Sequence, residues 1–426
     1  LQAPQKTSPW LWIPSVYYAQ GIPFVVVMMV SVIMYKRLGV SNADIAFYTS
    51  WLYLPWVIKP IWSPLVDIVK TRRYWIVAMQ LLIGAGLAGI ALTLPTSDFF
   101  RYSLAVFWLL AFSSATHDIA ADGFYILGLS ERQQAWFVGF RSTFFRLAMV
   151  TGQGLLVMLA GYLETRTGSI TLAWSLTFYC LAGLFVALFV WHRFVLPRPA
   201  GDVAGRSDAL SVMLREAVDT FVSFFRRPYI GRILAFLLLY RFAEAQLVKM
   251  SGPFMLDTRA EGGLELSTFD VGFVYGTVGV ALLTIGGILG GILAARHGLR
   301  RWFWWMVLAI NLPNVAYVFL AYLQIENLLL INMAVGIEQF GYGFGFTAYL
   351  LYMIYVARGP HSTAHYAICT GFMSLGMMLP GMVSGWLQEL LGYQSFFIWI
   401  LVATIPSFLV VWAVPLDRDF GKSGAP

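Results

Sequence analysis

Charge is scarce in this chain. Of its 426 residues only 12% are Asp, Glu, Lys or Arg, about half the ~25% of an ordinary soluble domain. So few charges cannot wet the surface of so long a chain. That excludes a soluble enzyme, a disordered protein and a nucleic-acid binder, despite a net charge of +7. Cysteine is nearly absent: Cys180 and Cys369, the only two, lie far apart in apolar runs, so neither a disulfide framework nor a zinc site is expected. His361 and His365 are four apart, but no carboxylate or Cys completes a metal site around them. A phosphate-binding loop is missing, which excludes transport driven directly by ATP. Gly341, Gly343 and Gly345 lie inside an apolar run rather than between a strand and a helix, so they are no dinucleotide fingerprint. No triad or paired-acid arrangement suggests hydrolysis. The expectation is a protein that is not an enzyme and takes no metal and no cofactor. The chain opens at Leu1 with neither Met nor a cleavable signal pattern, so trimmed ends are expected.

What is present in quantity is apolar: 59% of the residues are hydrophobic and 16% aromatic. A helix needs about 20 apolar residues to cross the hydrocarbon core. On that scale candidate spans fall at 10–37, 43–66, 74–94, 101–129, 135–162 and 170–195. A second group falls at 229–256, 268–296, 302–322, 326–356, 363–390 and 394–414. The reading is an all-α membrane protein of twelve transmembrane helices, arranged as two pseudo-symmetric six-helix halves over 1–196 and 229–426. A basic linker, 197–228, joins them, and its later part from Ser207 to Phe225 is expected to form an amphipathic helix. With both termini cytoplasmic, Lys and Arg favour the inner loops roughly threefold, as positive-inside topology requires. This layout resembles the major facilitator superfamily, in which substrate and coupling ion bind near the midplane between the halves.

A loop motif recurs after the second and eighth spans, as Ser63-Pro-Leu-Val-Asp67-Ile-Val-Lys70-Thr-Arg72-Arg73 and as Gly291-Ile-Leu-Ala-Ala-Arg296-His-Gly298-Leu-Arg300-Arg301. It resembles the superfamily's loop motif and marks Asp67, Arg72, Arg73, Arg296, Arg300 and Arg301 as gating candidates. Asp67 can meet a helix N-terminus or a neighbouring Arg in one conformation only. Positive-inside topology alone also accounts for the arginines.

Ionisable groups within spans are costly, about 2.5–3.5 kcal/mol each on insertion scales, and usually face a cavity or a partner. Asp118 and Asp122 are four apart on one helix face beside His117. Two carboxylates so placed suit a proton carrier, and a structural ion pair with Arg141 or Arg146 is the other reading. Lys59, Arg141, Arg146, Arg241, Glu244 and Lys249, with the uncharged Gln20 and Gln339, are candidate substrate contacts. If the basic groups face inward they suit an anionic substrate; mutual neutralisation by Asp118, Asp122, Glu244 and Glu338 is the alternative. Arg241 and Glu244, three apart, are expected to pair. Lys59, between Pro55 and Pro60, is expected beside a helix break. The pairs Gly272/Gly276, Gly287/Gly291, Gly341/Gly345 and Gly381/Gly385 are expected to let helices approach closely.

Two stretches are more specific. The run Leu54-Pro55-Trp56-Val57-Ile58-Lys59-Pro60-Ile61-Trp62-Ser63-Pro64-Leu65-Val66-Asp67 resembles the second helix of the peptide–acetyl-coenzyme A transporter family. The run His117-Asp118-Ile119-Ala120-Ala121-Asp122-Gly123 is similar to that family's fourth-helix signature, with His117 where the pattern has Gln and Ala121 where it has a larger aliphatic. Gly21-Ile22-Pro23 resembles the Gly-Leu-Pro of its first helix. The resemblance covers the first third of the chain. It implies a secondary transporter, proton-driven in bacterial members, among them AmpG-type permeases that import anhydromuropeptides across the inner membrane. It marks Lys59, Asp118 and Asp122 as functional. The expected partners are a small anionic substrate, protons and the lipid bilayer, for a monomer with no nucleic acid. Acetyl-coenzyme A or a siderophore is the alternative cargo within the family, and a non-transporting membrane sensor the distant alternative.

Overall fold

The computed structural model describes residues 7–204, 210–417 and 420, without the side chains of 67, 135 and 210–217. Among the described residues every regular element is helical. That is the outcome expected where no water is available to hydrogen-bond an open backbone. Nine stretches among them are long and apolar enough to cross a membrane: Pro9–Arg37, Arg72–Thr93, Phe99–Gly128, Glu131–Thr167, Ile170–Val195, Thr268–His297, Leu299–Leu323, Leu328–Ala357 and Ser362–Ala413. The last holds two spans, because Gly392 adopts φ 70° and ψ 161° and turns the chain between them. Only glycine takes such a conformation without a Cβ clash.

The remaining two spans are broken into pieces too short to count alone. The second is Asn42–Trp51 followed by Leu54–Val69. A proline ring collides with the carbonyl four residues earlier, and for Pro55 that residue is Trp51, where the first piece ends. The break therefore lies at Leu52–Tyr53. Lys59 does not sit at a break, since Pro60 and Pro64 are carried inside the continuous second piece. The seventh span is Ile230–Leu239 followed by Phe242–Leu256. No proline explains this break, but its freed backbone is satisfied. Ser407 Oγ donates to the carbonyls of Tyr240 at 2.8 Å and Leu239 at 3.4 Å. The chain is thus a twelve-span, all-α membrane protein. Wide π-helical turns occur at Val26–Val30, Val150–Leu156 and Gly272–Gly279.

The chain divides into two compact units, one running to Ser31 and from Ile58 to Glu216, the other from Val32 to Val57 and from Ala217 onward. This grouping departs from a six-plus-six division of the sequence because the piece Asn42–Trp51 packs on the eleventh span. There a Cβ on Gly385 would lie 1.9 Å from the Asn42 carbonyl oxygen. Gly341 and Gly345 also face backbone carbonyls, at 2.1 and 2.4 Å from an added Cβ, Gly381 meets the Ser50 hydroxyl at 2.9 Å, and Gly291 has open space beside it. The expected linker helix is present as Leu210–Phe225, with Phe224 buried and Phe221 exposed.

Candidate functional site

In the first unit the fourth span brings its two aspartates to two different cations. Lys59 Nζ, from the second span, pairs with Asp118 Oδ2, and Gln20 Nε2 of the first span donates to Asp118 Oδ1. One turn on, Asp122 Oδ1 accepts from Arg141 Nη2 at 3.0 Å and from Tyr17 OH at 3.3 Å. The Arg141 guanidinium also lies over the rings of Tyr17 at 4.7 Å and Tyr125 at 5.2 Å. The four charged side chains keep 18–40% of their surface, so they are sheltered but not sealed. Two acids and two bases balance, and a proton or an anion that entered would have to displace one ion pair. The i, i+4 spacing found in the sequence does place both carboxylates on one face, though each has its own partner. Arg146 is half-buried and forms no hydrogen bond or ion pair among the described residues.

Beside this pair runs a polar chain, buried but for its first member Ser15, that the sequence did not disclose. Ser15 Oγ meets His192 Nε2 at 2.8 Å, His192 Nδ1 meets Gln80 Oε1 at 2.9 Å, and Gln80 Nε2 meets His117 Nε2 at 3.0 Å. His117, where the family pattern has Gln, is therefore tied to the third and sixth spans through Gln80. A Gln80→Leu variant is expected to orphan one ring nitrogen on each imidazole, Nδ1 of His192 and Nε2 of His117. Each orphaned buried nitrogen costs about 1–3 kcal/mol, so the thermal midpoint of the purified protein should fall clearly. An unchanged midpoint would mean that water replaces the amide.

In the second unit the seventh span supplies Arg241, Glu244 and Lys249, all buried. Arg241 and Glu244 do not pair, and the cause is the helix break. Arg241 is the non-helical residue before Phe242–Leu256, at φ −109° and ψ 21°, so the three-residue spacing no longer places the two side chains together. Arg241 instead donates to Tyr342 OH and lies over Phe346 at 4.6 Å. Glu244 has no hydrogen-bond partner at either carboxylate oxygen. Lys249 Nζ donates to Thr49 Oγ1 at 2.9 Å and lies 5.7 Å over the Tyr53 ring. Gln339 Nε2 donates to Glu338 Oε2 at 3.0 Å. At the loop ends of this unit Lys36 pairs with Asp257, whose other oxygen accepts from Tyr393 OH at 2.6 Å and Asn42 Nδ2 at 3.2 Å.

Of the gating candidates, the Asp67 side chain lies outside the described residues. The N-terminus of the helix that begins at Arg72 is occupied by Asp202 of the linker. Asp202 Oδ1 accepts from the Arg72 backbone N–H at 2.7 Å and its Oδ2 from that of Arg73 at 3.0 Å. The Arg73 guanidinium donates to the carbonyls of Arg193 and Leu196 at the end of the sixth span. Arg72 rests its guanidinium against Gly123, where a Cβ would collide with it. Arg300 donates to the Leu416 carbonyl at 3.3 Å, and Arg296 and Arg301 are exposed. Asp202→Ala should cost about 0.5–2 kcal/mol, the range for losing an acceptor at a helix N-terminus. A thermal midpoint equal to that of the wild type would show that the Asp202 contact carries no stability.

Twelve apolar spans, with charged pairs inside them, define a multi-pass membrane protein. The family model of the Major Facilitator Superfamily matches residues 15–366, and the chain belongs to that superfamily of secondary transporters. It is 24% identical over 406 residues to a putative transporter AmpG 4 of Rickettsia conorii, covering 92% of each chain. It is 23% identical over 402 residues to the anhydromuropeptide permease of Escherichia coli K12, covering 92% of this chain and 77% of that one. Among solved structures, a bacterial homologue of the human lysosomal transporter Spinster, inward-facing and unoccupied, superposes with a TM-score of 0.69 at 14% identity over 96% of this chain and 98% of that one. At that identity the likeness establishes the fold alone.

Proposed function

We propose that this protein is a proton-coupled symporter that imports an anionic amino sugar or anhydromuropeptide across the inner membrane by alternating access, with both termini cytoplasmic. The observation that carries the reading is the pair of aspartates on one face of the fourth span, each held by its own cation. A proton arriving at Asp118 or Asp122 neutralises the carboxylate and frees Lys59 or Arg141. The freed cation can then bind a carboxylate of the cargo, so proton and anion enter together. The relatives named as AmpG transporters and an anhydromuropeptide permease support the choice of cargo. In the second unit Lys249, buried with no acidic partner within 4.0 Å among the described residues, adds further anion-binding capacity.

The test is uptake of labelled N-acetylglucosaminyl-anhydromuramyl peptide into proteoliposomes, with and without an inward proton gradient. Gradient-dependent accumulation that unlabelled muropeptide competes, and acetyl-coenzyme A does not, is the expected result. No accumulation by folded, correctly oriented protein would reject this cargo and turn the search to coenzyme A esters and siderophores.

A further inference from the structure

The end of the linker helix Leu210–Phe225 is fastened to the second unit through a histidine. Its last turns lie against the start of the eleventh span, where His365 is 3% exposed. Arg227 Nη2, just past the helix, donates to His365 Nδ1 at 2.7 Å. The same nitrogen donates to the Arg358 carbonyl, beyond the end of the tenth span, at 2.7 Å. On the other side of the ring, His365 Nε2 lies 2.9 Å from Ser223 Oγ and 3.3 Å from the Thr220 carbonyl oxygen. The buried Phe224 ring stands 5.6 Å from the imidazole and stacks on Phe372 at 6.4 Å.

These partners fix which nitrogen carries the hydrogen. A guanidinium only donates, so Nδ1 must present its lone pair to Arg227. A carbonyl only accepts, so the hydrogen sits on Nε2, facing Thr220. Ser223 Oγ donates to the Thr220 carbonyl at 2.7 Å and so can accept from Nε2 as well. An imidazolium would turn a second N–H, and a positive charge, against the Arg227 guanidinium. Nothing nearby offsets that. The His361 ring is 5.9 Å away and can only add positive charge. Arg358 lies over the Tyr355 and Phe420 rings, Cys369 one turn on is a buried thiol, and Asp219 of the linker helix is exposed. Among the described residues no acid pairs with His365. We propose that His365 is an acid-sensitive clasp: neutral, it holds the linker helix to the ends of the tenth and eleventh spans, and protonated, it expels Arg227 and releases the linker. Proton binding and docking compete, because the docked ring has no place for a second hydrogen. So short a helix owes its order to packing more than to propensity, so release also loosens its backbone. With the linker on the side to which protons are carried, as proposed above, the clasp opens where they arrive. The clasp itself does not depend on which molecule is carried.

Hydrogen exchange of the full chain in lipid nanodiscs, without cargo, tests it. Amide protection over 220–227, corrected for the intrinsic pH dependence of exchange, is compared at about pH 7.5 and about pH 5, which bracket the ordinary histidine range. Wild type is expected to lose about tenfold in protection at the lower pH, while the sixth span, Ile170–Val195, keeps its own. His365→Gln, which cannot take a charge, is expected to show no difference between the two pH values. His365→Lys, charged throughout, is expected to lack the protection at both. Equal wild-type protection at the two pH values overturns the proposal, as does a loss shared by the sixth span. An acid-induced loss in His365→Gln as large as that of wild type overturns it too. Should His365→Lys fail to fold, wild type and His365→Gln decide; should His365→Gln fail, wild type and His365→Lys do. Because no cargo is present, failure here leaves the muropeptide reading untouched, and failure of muropeptide uptake leaves the clasp untouched.

Discussion

An Asp122→Asn variant is expected to lose gradient-driven accumulation while it still exchanges labelled for unlabelled substrate across vesicles at equal pH. The amide preserves the size of the side chain and an acceptor for Tyr17 OH, which lies 3.3 Å from Asp122 Oδ1. It removes the charge that holds Arg141 at 3.0 Å and the atom that could take a proton. Arg141 keeps its two ring contacts, at 4.7 and 5.2 Å, so the fifth span stays in place. A gradient of one pH unit is worth about 1.4 kcal/mol per proton, or about tenfold accumulation for one proton carried. The variant should fall from that level to an inside-to-outside ratio of about one, with no comparable loss in exchange. Asp118→Asn offers the contrast. It strips the partner from Lys59, an ammonium with only 24% of its side-chain surface exposed, so binding as well as coupling should suffer. Full accumulation by Asp122→Asn would remove that residue from the coupling and leave Asp118 as the carrier.

The two aspartates were legible in the sequence because helix periodicity alone puts residues four apart on one face. The choice of cation for each was not, since Arg141 and Arg146 both lie on the fifth span and only packing selects Arg141. The spans were legible for the same reason, as runs of apolar residues of the right length. Their breaks were less so. Pro55 ends a helix at Trp51 by a local clash, a rule written in the sequence but read one turn too late. The break at Tyr240–Arg241 depends on Ser407 from a distant span, and no local pattern signals it. That break in turn undid the pairing of Arg241 with Glu244, which presumed an unbroken helix. Asp202 lies 130 residues from the N–H of Arg72 that it accepts, and Gln80 joins two histidines from separate spans. Partnerships of that kind are made by tertiary structure and leave only a polar residue in an odd place as their trace.

Gly343→Ala is expected to lower thermal stability sharply, while Gly183→Ala raises it slightly or leaves it alone. A Cβ at Gly343 would stand 1.9 Å from the Leu283 carbonyl oxygen, 2.7 Å from its carbon and 3.0 Å from the Gly287 nitrogen. All three obstacles are backbone atoms of the eighth span, so no side chain can swing aside. The approach is reciprocal: a Cβ on Gly286 would lie 2.1 Å from the Phe340 carbonyl oxygen. Thr347 Oγ1 closes the seam, 3.2 Å from the Gly287 carbonyl. Without a hydrophobic drive between helices in lipid, such close packing is a main source of association. Adding one methyl group therefore forces the eighth and tenth spans apart, at about 1–3 kcal/mol for an overpacked core and toward the upper end because backbone must move. Gly183 is the same substitution with nothing within 4 Å of the added carbon. There alanine's better helix propensity, worth about 0.5–1 kcal/mol, is the whole effect. Thermal unfolding of the three proteins in one detergent compares the two signs directly. A Gly343→Ala midpoint at or above that of wild type would mean that the two spans do not pack backbone to backbone.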